Sequence, residues 1–149
     1  MAERSNPPEL AQLKAGSAWG GWAIAIRDIN EVAARTGIEP VPGSIQDEHG
    51  LTIGSWRYVL PPDDANGALP FYVPYDDAPE SRLLKWQERL ARAAHPRGPV
   101  DLAWIEVAVD EETLRQWLGD LSVPVRISSG EPGIRAVGLR TPDGELVIR

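Results

Sequence analysis

The stretch Trp22-Ala-Ile-Ala-Ile-Arg-Asp28 opens the first regular part of the chain, and Trp104-Ile-Glu-Val-Ala-Val-Asp110 opens a second part 82 positions later. Each is an apolar run of strand length that ends in an aspartate able to cap a helix through its carboxylate. A helical pattern and a glycine stop follow in both, and Gly37 and Gly119 are again 82 positions apart. The recurrence predicts a duplicated unit that begins with a strand and a helix.

Each unit continues with three more predicted strands, at 40–45, 51–60 and 71–73 and then at 123–127, 134–140 and 145–149. The segment around His49-Gly50 and its counterpart around Pro132-Gly133 are offset by 83, which predicts the same hairpin in both halves. Between the halves, Asp77-Ala-Pro79-Glu80 and the apolar spacing after it predict a connector helix over 77–94.

The sequence therefore predicts an α+β fold of two tandem βαβββ modules that form a curved-sheet cleft. The predicted units are an N-terminal arm (1–18), a first module (19–75), the connector (76–99) and a second module (100–149).

Composition narrows the classes of partner. The chain has 149 residues, a net charge of −7 and no cysteine. The negative charge argues against nucleic acid and anionic membranes, and the missing cysteines exclude disulfides, thiol nucleophiles and Cys-ligated zinc. The polar first residues lack the apolar segment of a signal peptide, and no apolar run is long enough to span a bilayer. We expect a cytoplasmic protein without a nucleic-acid or membrane partner.

Several short sequence segments resemble those of a known family. The segments that carry the resemblance are Gly20–Asp28, Val41–Ser44, His49-Gly50 followed by Ser55–Arg57, Leu69–Phe71, His95-Pro96 and Trp117–Gly119. Together with the module order, they resemble the glyoxalase-like domain proteins of the vicinal oxygen chelate superfamily, which includes glyoxalase I, extradiol dioxygenases and bleomycin resistance proteins. The resemblance implies a ligand cleft formed by two curled sheets.

The resemblance also implies a divalent metal, held by side chains from the first and fourth strands of each module. The first-strand positions here are Gly21 or Trp22 and Ala103 or Trp104, depending on the register, and none of these side chains can bind a metal. The first fourth strand has no carboxylate, and the second has only Glu145, at its start. We therefore expect no metal and no cofactor.

Glu106 is the most informative acid, because it stands in the middle of an apolar strand. Such a carboxylate is either exposed at an edge, paired with an arginine, or in a cavity with a raised pKa. Alternation places it with Trp104 and Ala108, away from the helix side, and we expect it to face the cleft with Arg57 or Arg140 as its partner.

The aromatic residues supply candidate cleft walls. Trp22, Trp56 and Trp104 stand on predicted strands, as does Tyr72, whereas Trp86 and Trp117 stand on helices and are expected in the core. The leading interpretation is a metal-independent protein that binds an aromatic or amphipathic small molecule with these residues, Arg57 and Arg140.

Two alternatives stay open at this stage. One is a lyase or isomerase of the same superfamily that uses Glu106 as an acid or base, and the other is a non-catalytic interaction module. The apolar face and arginines of the connector helix also lead us to expect a homodimer.

Overall fold

The computed structural model describes residues 20–62, 65–75, 84–85, 87–89, 92 and 100–149. The predicted N-terminal arm lies outside these residues, as do the cap and apolar stripe of the connector helix, although residues 84–85, 87–89 and 92 are helical. The other elements are, in order, β1 (Ala23–Ile26), α1 (Ile29–Thr36), β2 (Val41–Gln46), β3 (Thr52–Tyr58), β4 (Phe71–Pro74), β5 (Asp101–Ala108), α2 (Glu111–Leu118), β6 (Val125–Ser128), β7 (Gly133–Thr141) and β8 (Gly144–Ile148).

Both halves thus follow the order strand–helix–strand–strand–strand, and the predicted α+β class is confirmed. Within the described ranges, no helix has both the length and the apolar character needed to cross a membrane.

The helix ends are set by local chemistry, as the sequence predicts. The Asp28 carboxylate accepts a hydrogen bond from the Asn30 N–H at 2.8 Å, and the Asp110 carboxylate accepts one from the Thr113 N–H at 2.9 Å. The bonds from Thr113 hold the pKa of the Asp110 carboxyl below its usual value. Gly37 ends α1 in the left-handed conformation, with φ of 70°, which an L side chain adopts only with strain.

The strands of the first half form two separate pairs, β1-β4 and β2-β3. Strand β1 runs parallel to β4, and β2 and β3 form an antiparallel hairpin. The two pairs are joined at an isolated bridge, where Val59 and Tyr72 exchange backbone hydrogen bonds of 3.0 and 2.9 Å.

The second half pairs its strands in a different order, β6-β5-β7-β8. Helix α2 returns the chain so that β6 runs parallel to β5, which is the usual result of a helical crossover. Because β5 lies between β6 and β7, the hairpin predicted by the offset of 83 does not form in this half. The two halves therefore share an element order without sharing a strand order.

One hydrophobic core joins the halves. It combines the buried faces of both helices with one face of each sheet, through residues that include Ile29, Val32, Val59, Tyr72, Ile105, Val107, Leu114 and Trp117. Arg35 of α1 ties the helices together, since its guanidinium donates to the carbonyls of Gln116 and Trp117 at the C-terminal end of α2. The charge of Arg35 suits that end of the helix dipole.

Strands β1 and β5 are equivalent in sequence, but they turn opposite sets of alternating side chains toward this core. Ile24 and Ile26 pack against the core in the first half, whereas Ile105 and Val107 do so in the second. Residues 82 positions apart on these two strands consequently lie on opposite faces. The phase of β5 places Trp104 and Glu106 on the side of the sheet away from α2.

Candidate functional site

The face of the second sheet opposite α2 brings together five residues, which we call the Trp104 face: Trp104, Glu106, Arg126, Ser128 and Gly138. Register fixes their positions. On β6, Arg126 is paired with Glu106, and Ser128 is paired with Ala108, two residues further along β5. On β7, Gly138 is paired with Trp104. Paired residues and every second residue of a strand share one face, so these side chains lie side by side.

Trp104 is the centre of this face and is only 7% exposed. Its indole lies against Gly138, where a Cβ would come within 2.3 Å of the ring. The Arg126 guanidinium covers the ring, with Cζ 3.8 Å from the ring centroid, which is cation–π geometry. The indole therefore lies between the sheet and an exposed cation.

Three polar groups on the Trp104 face have no hydrogen-bond or ion-pair partner among the residues that the structure describes. The Trp104 Nε1–H and the Ser128 hydroxyl are buried and form no hydrogen bond. Glu106 is partly buried and makes neither a hydrogen bond nor an ion pair with another described residue. A buried polar group left unsatisfied costs about 1–3 kcal/mol, so the indole N–H and the hydroxyl each call for a partner, which water or a ligand can supply.

The predicted partners of Glu106 do not reach it. Arg140 is exposed and lies on the same face, but its cross-strand neighbours are Asp101 and Glu145. Arg57 is exposed on β3 of the first half. The arginine directly across from Glu106 is Arg126. The sequence pattern does not single out this residue, because the pattern does not show that β5 and β6 pair.

Two of the predicted wall residues belong to the core instead. Tyr72 is 0% exposed, its ring packs on Trp117, and its hydroxyl donates to the Trp117 carbonyl at 2.7 Å. Burial is the main cause that raises the pKa of this hydroxyl. Trp22 packs against the core, and its indole N–H donates to the Ala68 carbonyl at 3.1 Å. Both side chains are satisfied where they are.

Trp56 lies apart from the Trp104 face, on β3 of the first half. It is partly buried, and its indole ring packs against Gly43 of β2. A Cβ added at Gly43 would come within 2.8 Å of the Trp56 Nε1. Each half thus has a tryptophan whose indole packs against the glycine paired with it on the neighbouring strand.

The side chains at the superfamily's metal positions do not fit a metal. In the first half, β1 and β4 are neighbours, but they carry no histidine or carboxylate, and the Tyr72 hydroxyl is bonded to the Trp117 carbonyl. In the second half, β7 lies between Glu106 on β5 and Glu145 on β8, so the two carboxylates do not converge. No group of three or more possible ligating side chains occurs among the described residues. His49 is exposed in a turn, and His95 lies outside the described residues.

A cavity of about 560 Å³ lies beside the N-terminal end of α2, and Ser128 is the member of the Trp104 face that takes part in its lining. It lies at the carboxyl ends of the parallel strands β5 and β6, a position where α/β units commonly bind ligands. Its lining is mainly apolar, through Pro62, Ala65, Leu69, Val109 and Pro132, with Asp110, Thr113, Ser128 and Ser129 as polar members. The carbonyl of Pro132, one of the lining residues, accepts a hydrogen bond of 3.0 Å from the Asn66 side-chain amide. This volume suits a small organic molecule.

Two tryptophans of equal burial test whether the Trp104 N–H is truly unsatisfied. Trp117 is 8% exposed and donates through Nε1 to the Pro70 carbonyl at 2.8 Å, whereas the Trp104 indole has no acceptor among the described residues. We expect Trp117→Phe to lower the free energy of unfolding by roughly 1–3 kcal/mol more than Trp104→Phe does, because only the former orphans a buried carbonyl. Urea denaturation of both variants measures the difference. Equal losses would mean that the Trp104 N–H has a partner in solution.

Comparison with known proteins identifies the family. A family model described as a glyoxalase-like domain matches residues 1–122. The chain therefore belongs to the glyoxalase-like domain family of the vicinal oxygen chelate superfamily, as the motifs indicated. The matched residues include Trp104 and Glu106 and end before β6.

Among solved structures, the chain is similar to the crystal structure of a hypothetical protein from Staphylococcus aureus, with 16% identity and a TM-score of 0.47. The similarity covers 95% of this chain and 56% of that one, so the chain spans little more than half of that structure's length. The comparison with curated proteins gives no match.

Proposed function

We propose that this chain is a metal-independent small-molecule-binding member of the glyoxalase-like family, and that the Trp104 face holds its ligand. One observation carries the proposal. The buried indole N–H of Trp104 has no acceptor among the described residues, and it lies on the same face as Glu106, which has no partner among them either. A ligand that accepts from the indole and donates to the carboxylate would satisfy both groups.

Retention of a ligand tests this proposal. Purified protein is incubated with the low-mass fraction of a cell extract, washed by gel filtration and denatured, and released compounds are identified by mass spectrometry. We expect the native chain to retain at least one compound, and Glu106→Gln to retain about tenfold less, because the amide cannot provide the same charge-assisted acceptor.

The matched control is Glu131→Gln, which alters an exposed glutamate in the turn before β7. It should retain as much as the native chain. Retention of nothing by the native chain, or equal retention by both glutamine variants, would contradict a site at Glu106.

A second candidate function rests on the same carboxylate. Because Glu106 is partly buried and accepts no hydrogen bond from a described residue, it is free to take or give a proton as the acid–base group of a lyase or isomerase. Once a retained compound is known, incubating it with protein separates the two functions. Conversion by the native chain that Glu106→Gln abolishes while binding persists would favour the enzyme, and unchanged compound would favour a binding protein.

A further inference from the structure

The Trp104 face offers more donors than acceptors. The Arg126 guanidinium presents several N–H groups, the Trp104 indole presents one, and the Ser128 hydroxyl can present another. Glu106 is the acidic group among them. A surface with this balance recognises a ligand rich in acceptor atoms, and the planar fork of arginine fits the two oxygens of a carboxylate.

Arg126 and Glu106 are also unusual as neighbours. They are directly paired in the register of β6 and β5, where opposite charges normally attract. They nevertheless form no ion pair within the described residues, and the guanidinium lies on the Trp104 ring instead. Both charges are therefore left open to a third group.

We propose that the ligand of this face carries a carboxylate next to a hydroxyl or ammonium group, with Arg126 holding the carboxylate and Glu106 accepting from the neighbouring donor. This inference rests on the proposed function and goes further by naming the chemical class of the ligand. Glu106 repels a simple anion, so the neighbouring donor is what allows the carboxylate to approach.

The guanidinium must leave the indole ring when it takes the carboxylate. Arg126 is exposed, and its contact with the ring is a single cation–π interaction. Breaking that contact costs less free energy than a bidentate pair with a carboxylate provides. Departure of Arg126 removes the cation from the face of the indole ring and so changes the surroundings of its N–H. The Trp104 indole resonance should therefore report the binding of the carboxylate.

Three related probes test the chemical class: 3-phenyllactate, its uncharged amide, and 3-phenylpropionate, which lacks the hydroxyl group. Binding is followed through the indole ¹H–¹⁵N resonances of the full chain, with Trp104→Phe used to assign the Trp104 signal. We expect phenyllactate to move that signal and to bind about tenfold more tightly than either of the other probes. Arg126→Met should remove the preference over the amide, and Glu106→Gln should remove the preference over phenylpropionate. Arg149→Met, an exposed arginine at the end of the chain, should keep both preferences.

The outcomes separate this inference from the proposed function. If the amide moves the Trp104 signal as tightly as the acid does, or Arg126→Met keeps the preference, the carboxylate assignment is overturned while a ligand site on the Trp104 face remains. If no probe moves the signal, the carboxylate class is also overturned, and retention of extract compounds still decides the proposed function.

Discussion

Replacing Tyr72 with alanine should lower the free energy of unfolding by about 3–5 kcal/mol, which is a large part of the stability of a small domain. Tyr72 is fully buried at the point where both halves meet, since its ring packs on Trp117 and its hydroxyl donates to the carbonyl of the same residue. The alanine variant leaves a cavity and removes the donor at once. Urea denaturation followed by circular dichroism measures the change.

Two companion variants identify the cause of this loss. Tyr72→Phe keeps the ring and removes only the hydroxyl, so it should cost about 1–2 kcal/mol. Tyr75→Ala changes a tyrosine that is 49% exposed, so its cost should be much smaller. If Tyr72→Ala cost no more than Tyr75→Ala, the shared core between the halves would not exist as described.

Gly138→Ala should have the second largest effect, because the new Cβ would lie 2.3 Å from the Trp104 indole. The ring and the strand must move apart, which typically costs about 1–3 kcal/mol in a packed site. The displaced ring also loses its place beside Arg126, so ligand retention should fall together with stability. Denaturation and the retention assay test the two effects separately.

Gly54→Ala is the matched control for this substitution. Gly54 also lies within a strand, but a Cβ added there meets nothing within 4 Å. Alanine generally fits a strand at least as well as glycine, so this variant should be as stable as the native chain and bind equally. Normal stability and retention in Gly138→Ala would show that Trp104 does not lie flat on β7.

Local chemistry made the helix boundaries predictable from the sequence. Asp28, Asp110 and Gly37 act on backbone groups a few residues away, and all three do what their residue types predict. The α+β class follows from the same local signals. Alternation along β5 was equally local, and it separated Trp104 and Glu106 from Ile105 and Val107.

Pairing between strands was not predictable in the same way. A sequence offset reports element order, but the neighbours of β5 depend on where α2 returns the chain, and that is decided by the shared core. Arg126 was missed for this reason, since only the parallel register with β5 brings it to Glu106 and Trp104. Tyr72 was misplaced because strand periodicity does not tell which side of β4 meets the helix of the other half.

The most direct test of the ligand site is the response of the tryptophan indole N–H signals to the low-mass cell extract. The chain has six tryptophans, and single Trp→Phe variants assign the signals of Trp104, Trp117, Trp22 and Trp56. We predict that the Trp104 signal moves on binding, while those of Trp117 and Trp22 stay in place because their N–H groups are bonded to protein carbonyls. A retained compound that moves the Trp56 signal and leaves that of Trp104 unchanged would contradict a site on the Trp104 face and place it on the β2–β3 hairpin.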